Sequence, residues 1–315
     1  MNLPARSSKC LRSWCIARAA LVSACALLCL IRPLQAQVGT SAADSKVYVG
    51  VLEDDREELA NWAPGPAKNR FVRLAFEKHG TEWTVVKTLN RPMQWTVAFA
   101  GKSLGEVKSR PNPAVSRSLV DAGTHTVLAT DSSVPTVGLP AEAFADMGGP
   151  SKVRRPLVVV SEPNFRDPDG WRRTVPSIEL IRIVRHSFRH EFPHVETCDE
   201  ESSSQGEWRF PDSDIRPTST YKSKQGTFLM QVQLKHGNCY VDDPNDPWAD
   251  QWFFIGADRT PRRIGAFMDL LDAGDYDADG QSEVIFFLRQ PEDTDGYILF
   301  YSNFRKRVAL TWSYH

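Results

Sequence analysis

One short acidic segment constrains this chain more than any other part of its sequence. It reads Asp275-Tyr-Asp277-Ala-Asp279-Gly280-Gln281-Ser-Glu283, with carboxylates at loop positions 1, 3, 5 and 9 and a backbone carbonyl available at position 7. Alternate residues of a tight loop point inward, and the glycine at position 6 permits a sharp bend, so the oxygens converge on a hard cation. The pattern predicts calcium ligation, and the alternative is a solvated acidic turn without an ion.

The residues on either side of this loop favour β-strands over the helices of an EF-hand. An EF-hand supplies a bidentate Glu at position 12, where this chain has Phe286. The apolar segment 267–271 precedes the loop, and Asp272-Ala273-Gly274 is interpreted as a turn. The apolar run 284–288 is rich in β-branched and aromatic residues, which predicts a buried strand.

A strand, an Asp-x-Asp-x-Asp-Gly-x-x-Glu loop and a second strand resemble the FG-GAP/VCBS repeats of integrin-type β-propellers, over about residues 264–301. The resemblance implies bound Ca²⁺ and a propeller fold. It also implies a set of ligands, in which Gln281 acts through its carbonyl and four acidic side chains coordinate directly: Asp275, Asp277, Asp279 and Glu283. Proteins of this type usually carry several such loops, whereas this chain has one.

An internal duplication predicts that the fold is built from repeated β-units. Residues 71–100 match residues 228–257 without a gap at seven of thirty positions, and later matches extend the copies to 71–123 and 228–274. The first copy predicts a hairpin with strands at 71–77 and 82–86, followed by a strand at 94–99.

Four residues shared by the copies have structural interpretations. His79 and His236 are interpreted as turn residues, and Trp95 and Trp252 as packing residues. Small antiparallel units of this kind bury their faces against copies of themselves. We therefore expect an all-β fold with one helix, as a β-propeller of five to seven antiparallel blades, with a sandwich as the alternative.

Three further segments are assigned from their local pattern. Residues 157–160 predict a strand, and residues 199–226 predict a polar surface excursion. The segment 177–192 predicts a helix that ends before Pro193, although it also tolerates a strand. The apolar stripe of this helix consists of Ile178, Ile181, Val184, Phe188 and Phe192.

The N-terminus predicts export. Basic residues precede an apolar run at 19–31, which is short for a bilayer span, and Leu34-Gln35-Ala36 offers a cleavage site. We expect residues 1–36 to be a signal peptide, and residues 37–315 a single domain in the periplasm or outside the cell, without stable membrane insertion. Five of the 38 Lys and Arg and none of the 39 Asp and Glu lie in 1–36, so the remainder has a formal charge of −6. That balance disfavours nucleic acid as a partner.

Cys198 and Cys239 are the two cysteines after the signal segment. An even pair in an oxidising compartment predicts a disulfide, with two free buried thiols as the alternative.

The segment His190-Glu191-Phe192-Pro193-His194 matches the zinc-peptidase pattern His-Glu-x-x-His. Two histidines one helical turn apart are needed to hold the zinc, and Pro193 disrupts the helix between them. The alternative interpretation is a helix that ends at Phe192.

Taken together, these features predict an exported calcium-binding scaffold with a protein or glycan partner, in which calcium is structural. An extracytoplasmic enzyme is the alternative, either this zinc peptidase or a polysaccharide-active propeller. In the latter case exposed tryptophans would stack on sugars, the candidates being Trp62, Trp171, Trp208 and Trp248.

Overall fold

A computed structural model of the chain describes residues 46–54, 70–111, 127–130, 134–135, 137, 156–193, 211–234, 243–290 and 294–313. Within these ranges, sixteen strands form three antiparallel sheets, accompanied by one α-helix. The expected all-β class with one helix is therefore confirmed. The signal segment and both Cys198 and Cys239 lie outside the described residues.

The first sheet contains seven strands, in the order β1-β7-β4-β5-β6-β2-β3. They are β1 (Val47–Asp54), β2 (Arg70–His79), β3 (Glu82–Val85), β4 (Met93–Phe99), β5 (Lys102–Pro111), β6 (Val127–Thr130) and β7 (Leu157–Val160). Because β1 also pairs with β2, six of these strands form a closed ring of pairings. All six contribute to one apolar cluster, in which Trp95 is fully buried and donates its indole N–H to Ser109 Oγ at 2.7 Å.

The second and third sheets are both meanders, in which strands that follow one another in sequence are neighbours. The second sheet consists of β8 (Arg172–Arg173), β9 (Ile215–Lys222), β10 (Phe228–Leu234), β11 (Gln251–Ile255) and β12 (Pro261–Ala266). The third sheet consists of β13 (Met268–Gly274), β14 (Glu283–Gln290), β15 (Thr294–Tyr301) and β16 (Lys306–Ser313).

The third sheet lies between the other two, and its strand β14 is buried on both faces. On β14, Ile285 and Phe287 pack in a cluster with side chains of the first sheet, while Val284, Phe286 and Leu288 pack in a cluster with those of the second. Successive side chains of a strand point to opposite faces, so a strand buried on both sides must be apolar at every position. This explains the unbroken apolar run 284–288 and confirms the predicted buried strand.

Helix α1 (Ile178–Glu191) covers the other face of the second sheet through Leu180, Val184 and Phe188. Ser177 caps its N-terminus, with Oγ accepting from the Leu180 N–H at 3.2 Å. The predicted helix and its end before Pro193 are confirmed. The predicted apolar stripe is wrong at Ile178, which is 87% exposed, because in the first turn Leu180 rather than Ile178 faces the sheet.

The hairpin predicted in the first repeat copy is confirmed, since β2 and β3 pair from Phe76–Val85 to His79–Glu82. His79 ends β2 at the turn, as expected, whereas His236 lies outside the described residues. The strand at 157–160 is confirmed as β7.

Two segments are more regular than their sequence indicates. Residues 215–222, within the segment predicted as a polar excursion, form strand β9, which buries Ile215 and Thr220 while its other positions stay partly or fully exposed. Residues 272–274, interpreted as a turn, continue strand β13, because a register shift between Leu270 and Asp272 keeps the strand paired with β14 up to Gly274.

The two repeat copies differ in their pairing. In the first copy β2 and β4 are not neighbours, whereas in the second the corresponding strands β10 and β11 pair directly. Trp95 and Trp252 are both buried, as expected for packing residues, and Trp252 donates its indole N–H to Met268 O at 2.7 Å, which links the second and third sheets.

Candidate metal centre

The acidic loop connects β13 to β14, so strands flank it on both sides as predicted. Gly274 ends β13 and pairs with Glu283, the first residue of β14. The base of the loop is thus closed by the antiparallel pairing itself, which holds position 9 of the loop beside position 1.

Three of the predicted ligand side chains converge. One carboxylate oxygen from each of Asp275, Asp277 and Glu283 lies within 4.8 Å of the other two. Asp275 and Glu283 are buried, and the Asp277 side chain is only 2% exposed. Among the described residues no other such group of acidic, histidine or cysteine side chains was found.

Asp279 does not belong to this group of three carboxylates, and its side chain is 40% exposed. Gln281 is exposed, and its role through the backbone carbonyl stays a prediction. Asp279 Oδ1 instead accepts the Gln281 N–H at 2.9 Å, within the turn.

Backbone hydrogen bonds hold the loop in its bent shape. Asp275 accepts from two amides, Asp279 N–H on Oδ1 and Gly280 N–H on Oδ2, both at 2.9 Å. Gly280 has a φ of +89°, a backbone conformation that residues other than glycine rarely adopt, which explains the glycine at position 6. Glu283 Oε2 accepts the Tyr276 N–H at 2.9 Å, so the last carboxylate is tied back to the start of the loop.

The electrostatics of the group favour a bound cation. Burial, and then the charge of Asp277, raises the pKa of Glu283 to about 9. Burial also raises the pKa values of Asp275 and Asp277, with neighbouring carboxylates adding to the effect. Gathered carboxylates in a desolvated site resist ionisation, and a divalent cation would reverse that tendency by neutralising them.

Lys78 enters the site from the first sheet. Its ammonium donates to Asp277 Oδ2 and lies 3.3 Å from Asp279 Oδ2, and it is 5.8 Å from the centre of the Trp83 ring. Burial lowers the pKa of Lys78, but the hydrogen bond and charge of Asp277 outweigh burial, so the pKa is raised overall. Sequence reasoning missed Lys78 because 199 positions separate it from Asp277 and only the fold brings them together.

The segment between β7 and β8 supports the loop from another side. The Asp275 N–H donates to Arg166 O at 2.8 Å, and the Ser282 hydroxyl donates to Asp167 Oδ1 at 2.7 Å. Phe165 stacks on Tyr276 with ring centres 5.7 Å apart. The loop, which belongs to the third sheet's β13–β14 hairpin, thus contacts the first sheet through Lys78 and the connection that leads into the second sheet.

We expect Gly274→Ala to lower the free energy of unfolding by about 1–3 kcal/mol. A Cβ at this position would lie 2.1 Å from Phe165 Cε2, and the buried ring has little room to move. Urea unfolding of Gly274→Ala, Phe165→Ala and the double variant would test this. Because Phe165→Ala removes the clashing ring, the double variant should lose less than the two single losses combined; a fully additive loss would contradict the clash.

The alternative catalytic residues do not form a site within the described residues. His190 is exposed in the last turn of α1, the helix ends at Glu191, and Phe192 has left helical geometry at φ −121° and ψ 75°. His194 lies outside the described residues, as do Trp62 and Trp208. Trp171 and Trp248 are half-buried, with Trp171 packed edge-on against Phe304 and Trp248 against the cluster beneath α1.

Comparison with known proteins found no matching family model, no matching curated protein and no matching solved structure. In the part of the chain that is described, no helix combines the length and apolar character that crossing a bilayer requires.

Proposed function

We propose that this protein is an exported calcium-binding scaffold, in which the ion has a structural role at the junction of the sheets. The observation that carries this proposal is the convergence of Asp275, Asp277 and Glu283 oxygens within 4.8 Å in a largely buried loop. The FG-GAP/VCBS-like pattern of the loop and the signal-like N-terminus support the calcium and the export, respectively.

The donor set favours calcium over softer metals. All three side chains offer carboxylate oxygens, which suit hard cations such as calcium and magnesium, whereas zinc and copper prefer nitrogen or sulfur ligands. Calcium tolerates irregular coordination, whereas magnesium demands near-octahedral geometry. An irregular loop that also offers backbone carbonyls therefore suits calcium better than magnesium.

The position of the loop favours a structural role. The loop closes the β13–β14 hairpin, contacts the β2–β3 hairpin through Lys78 and contacts the segment before β8 through Arg166 and Asp167. An ion there would neutralise carboxylates at a point where the third sheet contacts the first sheet and the segment that leads into the second. The scaffold would in turn present its surface loops to a protein or glycan partner.

A β-propeller arrangement is supported by the two meander sheets. In each of these sheets, strands that follow one another in sequence are neighbours, as in a propeller blade. The two sheets also pack face to face. The ring of pairings in the first sheet has another connectivity, so the blade count of five to seven stays a prediction.

Calcium titration by calorimetry tests the proposal. We expect one calcium per chain with a dissociation constant of about 10⁻⁴–10⁻³ M, as in extracellular modules. Asp277→Asn should abolish binding, because it removes a buried ligand charge. Asp258→Asn is the matched control, since Asp258 is an acidic residue that caps its own turn between β11 and β12. Absence of calcium binding both in the unmodified protein and in Lys78→Met, which removes the charge beside Asp277, would refute the proposal.

A further inference from the structure

We propose that Lys78 is a built-in competitor of calcium, an internal cation that must leave Asp277 before the ion can be coordinated. This inference rests on the proposed calcium site. It adds that a residue on a different sheet sets the affinity of that site for calcium. The geometry behind it is the contact of the Lys78 ammonium with Asp277, together with its 3.3 Å approach to Asp279.

Asp277 would be a ligand shared by Lys78 and calcium. Asp277 belongs to the three-carboxylate group, and its Oδ2 accepts from Lys78. Its Oδ1 accepts the Asp279 N–H at 3.0 Å. Both oxygens therefore already have partners inside the protein. Calcium takes carboxylate oxygens at about 2.3–2.6 Å, a distance at which the ion and an ammonium cannot both be held tightly by one oxygen without strong repulsion.

Lys78 is anchored by the strands on either side of it. The residue lies near the end of β2, where it pairs with Trp83 of β3 and with Val47 of β1. Its side chain is only 14% exposed. The strand pairings hold its backbone in place, so the ammonium approaches the loop from a set direction. Asp279, which is more exposed and lies outside the three-carboxylate group, is the neighbouring acid to which the ammonium can move when calcium takes Asp277.

Competition by Lys78 lowers the apparent affinity of the site for calcium. If the lysine-bound loop predominates by about ten to one in the absence of calcium, the apparent affinity falls by about the same factor. Removing the charge at position 78 should then tighten calcium binding about tenfold. Removing this charge should also lower the stability of the folded protein without calcium, because Asp277 and Asp279 would lose the cation that now offsets their repulsion.

Calorimetric titration with CaCl₂ is the test, applied to the unmodified protein and to Lys78→Met, Lys78→Gln, Lys78→Arg and Lys87→Met. Lys78→Met and Lys78→Gln are expected to bind calcium about tenfold more tightly. Lys78→Arg keeps the charge and should stay close to the unmodified protein. Lys87→Met removes an exposed lysine just beyond β3 and should leave the affinity unchanged.

Melting curves in EGTA and in calcium provide a second readout that a merely structural lysine would not produce. Lys78→Met should melt below the unmodified protein in EGTA, and the gain on adding calcium should be larger than in the unmodified protein. Equal losses in both conditions, or equal affinities in all variants, would overturn the role of Lys78 while leaving the calcium site standing.

The remaining outcomes separate the two proposals. Calcium binding by Lys78→Met and Lys78→Gln but not by the unmodified protein would support the competition in its strongest form, with Lys78 filling the site. Absence of binding in every variant would overturn this inference and the proposed calcium function together.

Discussion

Arg73→Met is expected to lower the free energy of unfolding by about 3–5 kcal/mol, the largest loss we anticipate from a single substitution outside the apolar clusters. Arg73 on β2 and Glu53 on β1 form a buried, two-pronged ion pair, with Nε–Oε1 at 2.9 Å and Nη2–Oε2 at 3.2 Å. The two residues are 5% and 4% exposed.

This pair also connects the first sheet to the third. The Tyr297 hydroxyl on β15 donates to Glu53 Oε1, and the Arg73 guanidinium lies over the Trp312 ring of β16, with Cζ 4.2 Å from the ring centre. Methionine keeps much of the length of arginine but removes the guanidinium charge and both of its hydrogen bonds to the buried Glu53 carboxylate. Removing one partner of a buried ion pair costs more than the intact pair contributes, because the carboxylate left behind is still desolvated.

Urea unfolding at 25 °C measures this loss, and two further variants interpret it. Arg73→Met combined with Glu53→Met should recover part of the stability, because the buried carboxylate is then removed together with the arginine. Arg189→Met breaks an exposed pair with Asp212, whose atoms are 2.7 Å apart, and should cost less than about 1 kcal/mol. A loss of that small size for Arg73→Met would contradict the importance of the buried pair.

Calcium is expected to raise the melting temperature by about 5–10 °C at a concentration of about 100 times the dissociation constant, equivalent to about 2.7 kcal/mol. A ligand that binds the folded chain and not the unfolded chain stabilises by mass action, whatever the atomic details. Calorimetric melting in EGTA and in CaCl₂ at about 100 times the measured dissociation constant, which is about 10–100 mM for the expected range, measures the shift. Asp277→Asn should remove it, and Asp258→Asn should retain it.

We expect the stabilisation by calcium to depend on pH. Burial is the main cause that raises the pKa of Glu283 from 4.5, the ordinary value for glutamate, to about 9. A carboxyl group whose pKa is raised in the folded protein contributes stability that is fully present below pH 4.5. This contribution is lost as the pH rises towards about 9. In EGTA the protein should therefore lose stability between pH 5 and pH 9, and calcium should flatten that decline. A decline of equal slope with and without calcium would contradict a metal at Glu283.

Local patterns predicted much of the secondary structure. The hairpin at 71–86, the strand at 157–160, the helix ending before Pro193 and the buried strand after the acidic loop were all readable from short segments. Each depends on residues close in sequence: an alternation of apolar positions, a helix cap, a proline or a glycine turn. The errors arose where tertiary packing overrode the local pattern, as at β9 and at the end of β13.

The sequence by itself determined an acidic loop able to bend around a hard cation, because the spacing of its carboxylates and the glycine at position 6 are local properties. Only the tertiary structure decided that Asp275, Asp277 and Glu283 converge while Asp279 stays outside, that Lys78 meets the loop, and that Glu53, Arg73 and Tyr297 join two sheets. These contacts join residues that are distant in the chain. They follow from which sheet faces pack together, and that choice is made by the apolar clusters of the whole fold rather than by any single segment.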